Sequence, residues 1–463
     1  MRPGHPSGRE GAEKINLPKI PPPHIEALLY QAEKNGILPL TSRCNLACAF
    51  CSAAGNPPGL EAFFIPPRTM EDIREHLAFL DESRGPITIG ESVTRVTEGE
   101  PLTHEDLPGI LRLLRESFPR RDIRLTTNGT LLTEELSRSF RELDVTVLLS
   151  LNTADPGLRS KWMKDPDPCN TLKQVEAMAS IGVGFEGSVV ALPSLFGIQD
   201  IEKTVGYLVE LGARSVRILL PGFSRYHPLW QADTGAAWGE IRDLARAMTV
   251  KTGIPVLADP PELSGLEARV EGCIKGSPAQ KAGLRAGDMI LRVDKTTVFS
   301  RRHAMELSRN SQNPVLTVYR EGGTFEVTLE KHRFQSPGFV VYDDLGLSEV
   351  EEWEAKVRET GAGKVLILTS ALAGPLIRDV AARLDIDARV IEVCSDFFGG
   401  NIMAAGLLVL SDFLKAFGES IGGWRPDVVV LPARAFDVWG RDLTGVSYKT
   451  FSALTGIPTM LAG

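Results

Sequence analysis

The stretch that decides the fold runs from residue 36 to residue 51 and reads Gly-Ile-Leu-Pro-Leu-Thr-Ser-Arg-Cys44-Asn-Leu-Ala-Cys48-Ala-Phe-Cys51. Its apolar part, residues 37–40, predicts a short buried strand, and three cysteines follow it on one loop. Thiolates are soft ligands that suit zinc or iron-sulfur clusters, and one loop at a strand end can wrap one such centre. The spacing therefore predicts a metal centre at the C-terminal end of a strand.

The predicted centre lacks a fourth protein ligand nearby in the sequence. A closed metal site usually takes four ligands, whereas the next cysteine after Cys51 is Cys169, and His76 falls in a predicted surface helix. An open metal position is where a substrate or cofactor binds. Two alternatives stay open, namely a zinc site that Cys169 completes from a distance and three buried cysteines without metal. Cys273 and Cys394 each stand alone and predict no second cluster.

The first half of the chain alternates strand-like and helix-like segments. Short β-rich runs with helices between them predict successive βα units and a parallel sheet. Six such units are fewer than the eight of a closed TIM barrel. We therefore expect an α/β chain with an open, partial (β/α)6 TIM-like barrel over residues 31–258. The expected strands are residues 37–40, 93–97, 123–126, 145–151, 185–192 and 215–220.

Three further segments complete the predicted organisation. Residues 1–30 form a polar leader without the apolar core of a signal peptide. Residues 264–333 carry a hairpin signal at Gly322-Gly323 and predict a small β-rich domain, after which residues 338–463 return to an α/β pattern. In that last domain, two aromatic residues followed by two glycines at residues 397–400 suggest a backbone held close to another group, and a tight packing turn explains them as well.

With this cysteine spacing after a first strand, the chain resembles the radical S-adenosylmethionine (radical SAM) superfamily over about residues 30–255. The resemblance implies a 4Fe-4S cluster bound by Cys44, Cys48 and Cys51, S-adenosylmethionine on the open iron, and Phe50 near its adenine. It also implies that a small electron donor such as ferredoxin or flavodoxin reduces the cluster. Reductive cleavage then gives a 5'-deoxyadenosyl radical, which abstracts hydrogen from a substrate that the sequence does not name.

Polar residues at the ends of other predicted strands fit the same superfamily. Residues 99–101, Gly-Glu-Pro, are similar to its Gly-Gly-Glu-Pro motif, with Glu98 in place of the first glycine. The glycine lets the backbone approach closely, and a carboxylate suits the ammonium group of the cofactor. An ordinary polar turn is the alternative. Barrel active sites form at strand ends, so the candidate cofactor-binding residues, besides Phe50, are Gly99, Glu100, Asn128, Ser150 and Asn152.

Residues 276–294 resemble a bacterial PDZ domain, through Gly-Ser-Pro-Ala at 276–279 and Ala-Gly-Leu-Arg-Ala-Gly-Asp at 282–288. PDZ domains bind an extended peptide beside an exposed strand edge, so the resemblance implies a peptide or protein partner. A module that only braces its neighbours is the alternative. The chain as a whole resembles an uncharacterised radical SAM family that joins the barrel to a PDZ domain and a C-terminal domain of unknown function, although that family usually places the PDZ domain first.

The composition argues against several other classes of protein. The 463 residues are 43% hydrophobic and 24% charged, with a net charge of -8, which is typical of a folded protein and provides no basic surface for nucleic acid. No apolar stretch has the length of a membrane span, so we expect a cytoplasmic protein. The rival function is a non-catalytic iron-sulfur or adaptor protein that recruits partners through its PDZ and C-terminal domains.

Overall fold

The computed structural model describes residues 25–82, 85–91, 93, 95–230, 237–383, 386–420 and 422–462. Most of the expected leader, residues 1–24, lies outside the described residues. In chain order, the described part forms a six-stranded sheet, a small β-rich domain with a four-stranded sheet, and a second four-stranded sheet. None of the described helices is both long enough and apolar enough to cross a membrane.

The six-stranded sheet is parallel throughout and open. Its strands occur in the same order in space as in sequence, and its first and last strands are not hydrogen-bonded to each other. The predicted partial barrel in an α/β chain is therefore confirmed. The strands are Ile87–Ile89, Ile123–Thr127, Val145–Ser150, Phe185–Val190, Val216–Leu219 and Val256–Asp259.

Two of the predicted barrel strands are wrong. Residues 37–40 make only an isolated bridge between Ile37 and Thr88, because Pro39 has no N–H group with which to extend a ladder. Residues 93–97 do not form the second strand either. Their β-branched residues are interrupted by Arg95 at φ 69°, a left-handed conformation that an extended strand cannot contain. The sheet instead begins and ends with two strands that the sequence analysis missed, Ile87–Ile89 and Val256–Asp259.

The part of residues 93–97 that is extended belongs to a separate sheet. Val96–Thr97 pairs in parallel with Phe63–Phe64 outside the barrel. The chain leaves the strand Ile87–Ile89 at Gly90 (φ 82°) and returns at residues 99–101. A Cβ atom on Gly90 would lie only 2.7 Å from the Pro101 ring. Residues 91–98 are therefore an insertion between the strand end and the Gly-Glu-Pro segment.

Amphipathic helices cover the barrel sheet. In Leu107–Ser117, Leu107, Ile110, Leu111 and Leu114 are at most 1% exposed, and their spacing of three and four places them on one face. The helix Ile198–Glu210 buries Ile201, Val205 and Leu208 with the same periodicity. The α-helices of four or more residues in the barrel are Ile25–Lys34, Met70–Glu82, Leu107–Ser117, Glu134–Glu142, Pro168–Ile181, Pro193–Phe196, Ile198–Glu210 and Trp238–Thr252.

The small β-rich domain contains the hairpin that the sequence predicts at residues 322–323. Its four strands form an antiparallel sheet, and Gly272–Cys273 pairs separately with Phe339–Val340. Its helices are Pro278–Lys281 and Arg301–Asn310. The strands of the four-stranded sheet are Met289–Val293, Thr296–Thr297, Val315–Arg320 and Gly323–Thr328.

This domain covers the last edge of the barrel sheet. The hydroxyl of Tyr342 accepts a hydrogen bond from the Ala258 N–H and donates one to the Ala258 carbonyl, both at 3.1 Å. Ala258 lies on the edge strand Val256–Asp259, whose outward backbone groups would otherwise need water. A Cβ atom on Gly272 would lie 3.0 Å from the Pro255 ring, so the two surfaces are in close contact. These contacts favour the bracing alternative for the domain.

The last domain is a parallel sheet with helices on both faces. Its strands, in spatial order, are Asp387–Val393, Lys364–Ser370, Val428–Pro432 and Thr459–Ala462. The return to an α/β pattern after the β-rich domain is therefore confirmed. Its helices are Leu347–Glu359, Gly374–Ala381, Leu410–Ser420 and Lys449–Thr455.

Candidate iron-sulfur centre

The three clustered cysteines lie on one loop. This loop follows residues 37–40, which lie beside the barrel sheet and make the bridge between Ile37 and Thr88. Cys44 and Cys51 are exposed and Cys48 is partly exposed. The loop closes with a turn, in which the Cys51 N–H donates to the Cys48 carbonyl at 3.1 Å, and the 3-10 helix Ser52–Gly55 follows. All three thiols therefore belong to one short, ordered loop with access from outside.

The thiols interact electrostatically with one another. Burial is the largest cause that raises the pKa of Cys48, and the neighbouring thiols of Cys44 and Cys51 raise it further, to about 12. Burial also raises the pKa of Cys44, and the Glu100 carboxylate acts in the same direction. Three adjacent thiolates repel each other, and metal ligation is what keeps such thiolates deprotonated together at neutral pH. The chemistry of the donor set fits a cationic metal centre.

A single-ion site is not preformed here. Among the described residues, no three His, Cys, Asp or Glu side chains converge as they would on one metal ion. The alternative of a zinc site completed by Cys169 therefore has no support in the described part of the chain. Thiols that each bind a different iron of one cluster need not converge on a point.

The Gly-Glu-Pro segment is docked on the start of the cysteine loop. The Gly99 N–H donates to the Thr41 carbonyl at 2.8 Å, and the Glu100 N–H donates to the Arg43 carbonyl at 2.7 Å. A Cβ atom on Gly99 would overlap the backbone of Arg43. Gly99 therefore allows a close backbone approach to the residue immediately before Cys44, while its expected approach to the cofactor stays a prediction.

The Glu100 carboxylate is occupied by donors from the chain itself. It is only 4% exposed. Its Oε1 accepts hydrogen bonds from the Thr127 hydroxyl at 2.7 Å and the Leu102 N–H at 3.2 Å, and its Oε2 accepts one from the Asn128 N–H at 2.8 Å. Burial raises the pKa of Glu100, and these donors oppose the shift. Since a carboxylate offers about four acceptor positions, roughly one remains for a further contact.

Glu98, which replaces the first glycine of the motif, is also largely buried. Its Oε1 accepts a hydrogen bond from the Leu40 N–H at 3.3 Å, and its Oε2 has no partner among the described residues. Burial raises its pKa to about 8. This side chain therefore packs under the beginning of the cysteine loop and not into solvent.

Asn128, at the end of the third predicted strand, connects to the cysteine loop through side chains. Its Nδ2 donates to the Asn45 Oδ1 at 3.1 Å, and the Asn45 Nδ2 donates to the Thr130 hydroxyl at 2.7 Å. The Thr130 hydroxyl in turn donates to the Asn128 Oδ1 at 2.6 Å. Because Asn45 follows Cys44 directly, this three-residue network fixes the loop against the barrel mouth.

Ser150 and Asn152 are brought to the same end of the sheet. The Ser188 hydroxyl donates to the Ser150 hydroxyl at 3.2 Å. Asn152 is 5% exposed, and its amide bridges two strands by accepting from the Val190 N–H at 3.0 Å and donating to the Ser150 carbonyl at 3.2 Å. Ser150 is partly exposed, so of the two residues it is the one with surface available to a ligand.

Phe50 lies in an apolar cluster beneath the loop. It is 8% exposed and packs edge to face on Phe196, with ring centroids 6.1 Å apart. Met163 and Phe223 belong to the same cluster. The Ala49 N–H donates to the Trp162 carbonyl at 2.7 Å, which ties the loop to the π-helix Arg159–Met163. A contact between Phe50 and adenine stays a prediction.

Two residues that the sequence analysis did not consider complete the surroundings of the cysteines. Arg159 is fully buried, forms an ion pair with Asp165 at 2.8 Å, and donates a hydrogen bond to the Leu151 carbonyl at 2.6 Å. Its positive charge opposes the rise in the pKa of Cys48. The His227 Nε2 lies 3.2 Å from the Cys51 carbonyl, while the Leu229 N–H donates to the Nδ1 at 3.1 Å. With Nδ1 accepting, Nε2 carries the proton and donates to Cys51.

The last domain reaches this site through its aromatic and glycine segment. The Asn401 Oδ1 accepts from the Phe223 N–H at 2.7 Å, and its Nδ2 donates to the Pro221 carbonyl at 2.9 Å. A Cβ atom on Gly400 would overlap the Phe223 carbonyl. The close backbone approach suggested by the glycines is therefore made to the loop of residues 221–230, which also carries His227.

Comparison with known proteins locates two families in the chain. Residues 38–208 match the radical SAM superfamily, and residues 269–320 match a PDZ domain. The chain is similar to GTP 3',8-cyclase of Aquifex aeolicus, with 36% identity over 26% of this chain and 36% of the relative. It is also similar to GTP 3',8-cyclase of Rhodopirellula baltica, with 30% identity over 43% of this chain and 51% of the relative. These matches span about a third to a half of the relatives' lengths.

The solved structures that the chain is similar to share less sequence identity with it. Streptococcus suis SuiB bound to the precursor peptide SuiA covers 48% of this chain and 47% of its own, at 18% identity and a TM-score of 0.35. The native protein anSMEcpe with bound AdoMet covers 48% of this chain and 62% of its own, at 18% identity and a TM-score of 0.36.

Proposed function

We propose that this chain, which belongs to the radical SAM superfamily through residues 38–208 and carries a PDZ domain at residues 269–320, is an enzyme that cleaves S-adenosylmethionine reductively at a 4Fe-4S cluster. The superfamily implies S-adenosylmethionine and an iron-sulfur cluster as cofactors. Cys44, Cys48 and Cys51 would each bind one iron and leave the fourth iron open. The observation that carries the proposal is this set of three thiols on one exposed loop, with no fourth ligand converging among the described residues.

When bound, the cluster supplies one electron that splits S-adenosylmethionine into methionine and a 5'-deoxyadenosyl radical, which then takes a hydrogen atom from the substrate. A small protein such as ferredoxin or flavodoxin would deliver that electron. The PDZ domain supports a peptide or protein partner as a further proposal. The names of the relatives suggest GTP as a substrate. Their matches cover only 26% and 43% of this chain, so they do not assign GTP to it.

The residues at the strand ends divide into two groups by exposure. Asn128 and Ser150 keep partly exposed side chains at the barrel mouth, and we propose that they contact the cofactor directly. Glu100 and Asn152 are about 95% buried and already hydrogen-bonded. We propose that they position the backbone around the cofactor, with the one remaining acceptor position of Glu100 available to its ammonium group. Gly99 allows the cysteine loop to approach this backbone.

A test measures iron and product together. After anaerobic reconstitution, we expect the wild-type chain to hold about four irons and, with dithionite and S-adenosylmethionine, to form 5'-deoxyadenosine. Replacing Cys44, Cys48 and Cys51 together by alanine should abolish both. The matched control replaces Cys169 and Cys394, which are exposed but isolated, and should retain both.

The outcomes separate the enzyme from its rival. If the triple variant held as much iron as the wild type, the cysteine loop would not be the metal site. A cluster that forms in the wild-type chain without any 5'-deoxyadenosine, even under strong reduction, would instead favour a non-catalytic iron-sulfur or adaptor protein. Formation of 5'-deoxyadenosine only in the wild type and in the control supports the enzyme.

A further inference from the structure

A cavity of about 220 Å³ lies between the barrel and the last domain. One wall is the turn that immediately follows Cys51, at residues 52–56, and a second is formed by Val93 and residues 95–97 of the insertion. The third wall comes from the last domain, through Phe398, Ile402, Leu407 and Leu443. The cavity therefore adjoins the cysteine loop and exists only where the two domains meet.

The walls of this cavity carry no unpaired charge among the described residues. Of the sixteen residues that line it, Arg95 is the only ionisable one. Its guanidinium donates to Asp437 at 2.7 Å and also contacts the Glu61 carboxylate. Both partners compensate its charge, so it offers little attraction to an anionic ligand, while an anion would lose its hydration on entering. The site disfavours phosphates.

The apolar lining and the volume of the cavity determine which ligands it can hold. Leu60, Val96 and Phe398 line the cavity together with the aliphatic residues of the last domain, whereas Ser52 and Asn56 supply polar groups close to Cys51. At about 10–15 Å³ for each water-sized sphere, this space accommodates on the order of 15 non-hydrogen atoms. A nucleoside triphosphate is much larger and carries several negative charges.

We propose that this interdomain cavity binds the substrate, and that the substrate is an uncharged, largely apolar small molecule with one or two hydrogen-bonding groups. The proposal rests on the proposed radical SAM function, which it extends by naming a substrate class. Removal of apolar surface from water provides the binding energy, and the polar groups of residues 52–56 orient the molecule toward the cysteine loop. The last domain thus contributes directly to substrate selection.

The proposal is tested by binding of a neutral probe, 2-phenylethanol, to the full chain by isothermal titration calorimetry. Phenyl phosphate and GTP are titrated in parallel as charged competitors. Ala62→Leu adds a side chain to one wall of the cavity and should weaken binding of 2-phenylethanol at least tenfold. Ala453→Leu makes the same change at an exposed position in the helix Lys449–Thr455 and should leave the affinity unchanged. Leu407→Phe fills the cavity from the opposite wall and serves if Ala62→Leu does not fold.

Three results would overturn the proposal: no saturable binding of 2-phenylethanol to the wild-type chain, equal affinity in the filled variants and the wild type, or tighter binding of phenyl phosphate or GTP. Melting curves of every variant exclude unfolding as the cause. The probe measurement needs no turnover, so it stands apart from the 5'-deoxyadenosine assay on the wild-type chain. Probe binding without that product would refute the proposed function and leave the cavity as a binding site without a reaction, whereas product without probe binding would refute only the cavity.

Discussion

Asn401→Ala should release the loop of residues 221–230 from the last domain. The change removes the acceptor of the Phe223 N–H at 2.7 Å and the donor to the Pro221 carbonyl at 2.9 Å. Pro221 and Phe223 are both buried, so neither backbone group can turn to water. An unsatisfied buried polar group costs about 1–3 kcal/mol, which gives about 2–6 kcal/mol for the two groups.

Hydrogen exchange measured by mass spectrometry on the full chain reports this loss locally. At 1.4 kcal/mol per factor of ten, a loss of about 2 kcal/mol accelerates exchange through local opening about 30-fold. We expect that acceleration in residues 221–230, together with faster loss of iron to a chelator, because Ser224 and His227 on this loop donate to the carbonyls of Gly55 and Cys51.

Asn401→Asp is the matched variant, since it keeps an acceptor for Phe223 but has no donor for Pro221. Its exchange rate should fall between those of the wild type and Asn401→Ala. Unchanged exchange in residues 221–230 of Asn401→Ala, with a normal melting curve, would show that the last domain does not hold this loop. The reasoning that connects the last domain to the cysteine loop would then be refuted.

Four other substitutions test three separate contacts, and urea unfolding measures the stability of each variant. Glu100→Gln places an amide where three donors point and should lower stability by about 1–3 kcal/mol and weaken S-adenosylmethionine binding, with the cluster retained; unchanged stability would contradict the hydrogen bonds described. Tyr342→Phe leaves the N–H and carbonyl of Ala258 without their partner and should cost about 1–3 kcal/mol, whereas no loss would mean that water replaces the hydroxyl. Phe398→Ala should cost about 3–5 kcal/mol and the half-buried Phe397→Ala clearly less, so equal losses would refute this difference in packing.

The cysteine loop and the type of sheet could be predicted because their signals are local. The spacing of Cys44, Cys48 and Cys51 is read directly, and helices such as Met70–Glu82 repeat apolar residues every three or four positions. The Gly-Glu-Pro segment was also recognised from its residues. The sequence does not reveal that Gly99 approaches Arg43, because the two residues are distant in the chain and meet only after the barrel forms.

The insertion at residues 91–98 could not be predicted for a related reason. Val93, Val96 and Thr97 favour a strand, but Arg95 adopts φ 69° and contacts Asp437, which lies 342 positions further along the chain. A left-handed residue costs about 1–2 kcal/mol, and here a buried ion pair formed by another domain stabilises it. The local strand propensity contains no information about such a contact. The strand was therefore predicted at residues 93–97, whereas it lies earlier, at Ile87–Ile89.

The two added domains contact different parts of the barrel, and this difference predicts different consequences. Tyr342, which follows the strand Phe339–Val340 that pairs with the β-rich domain, contacts Ala258 on the last barrel strand. That strand is far from the cysteine loop in sequence and in sheet order. The last domain instead contacts both neighbours of that loop, through Asn401 at residues 221–223 and through Asp437 at Arg95. Loosening the PDZ contact should therefore lower the stability of the barrel without changing the iron site. Loosening the contacts of the last domain should disturb the iron site and the cavity even where the barrel remains folded.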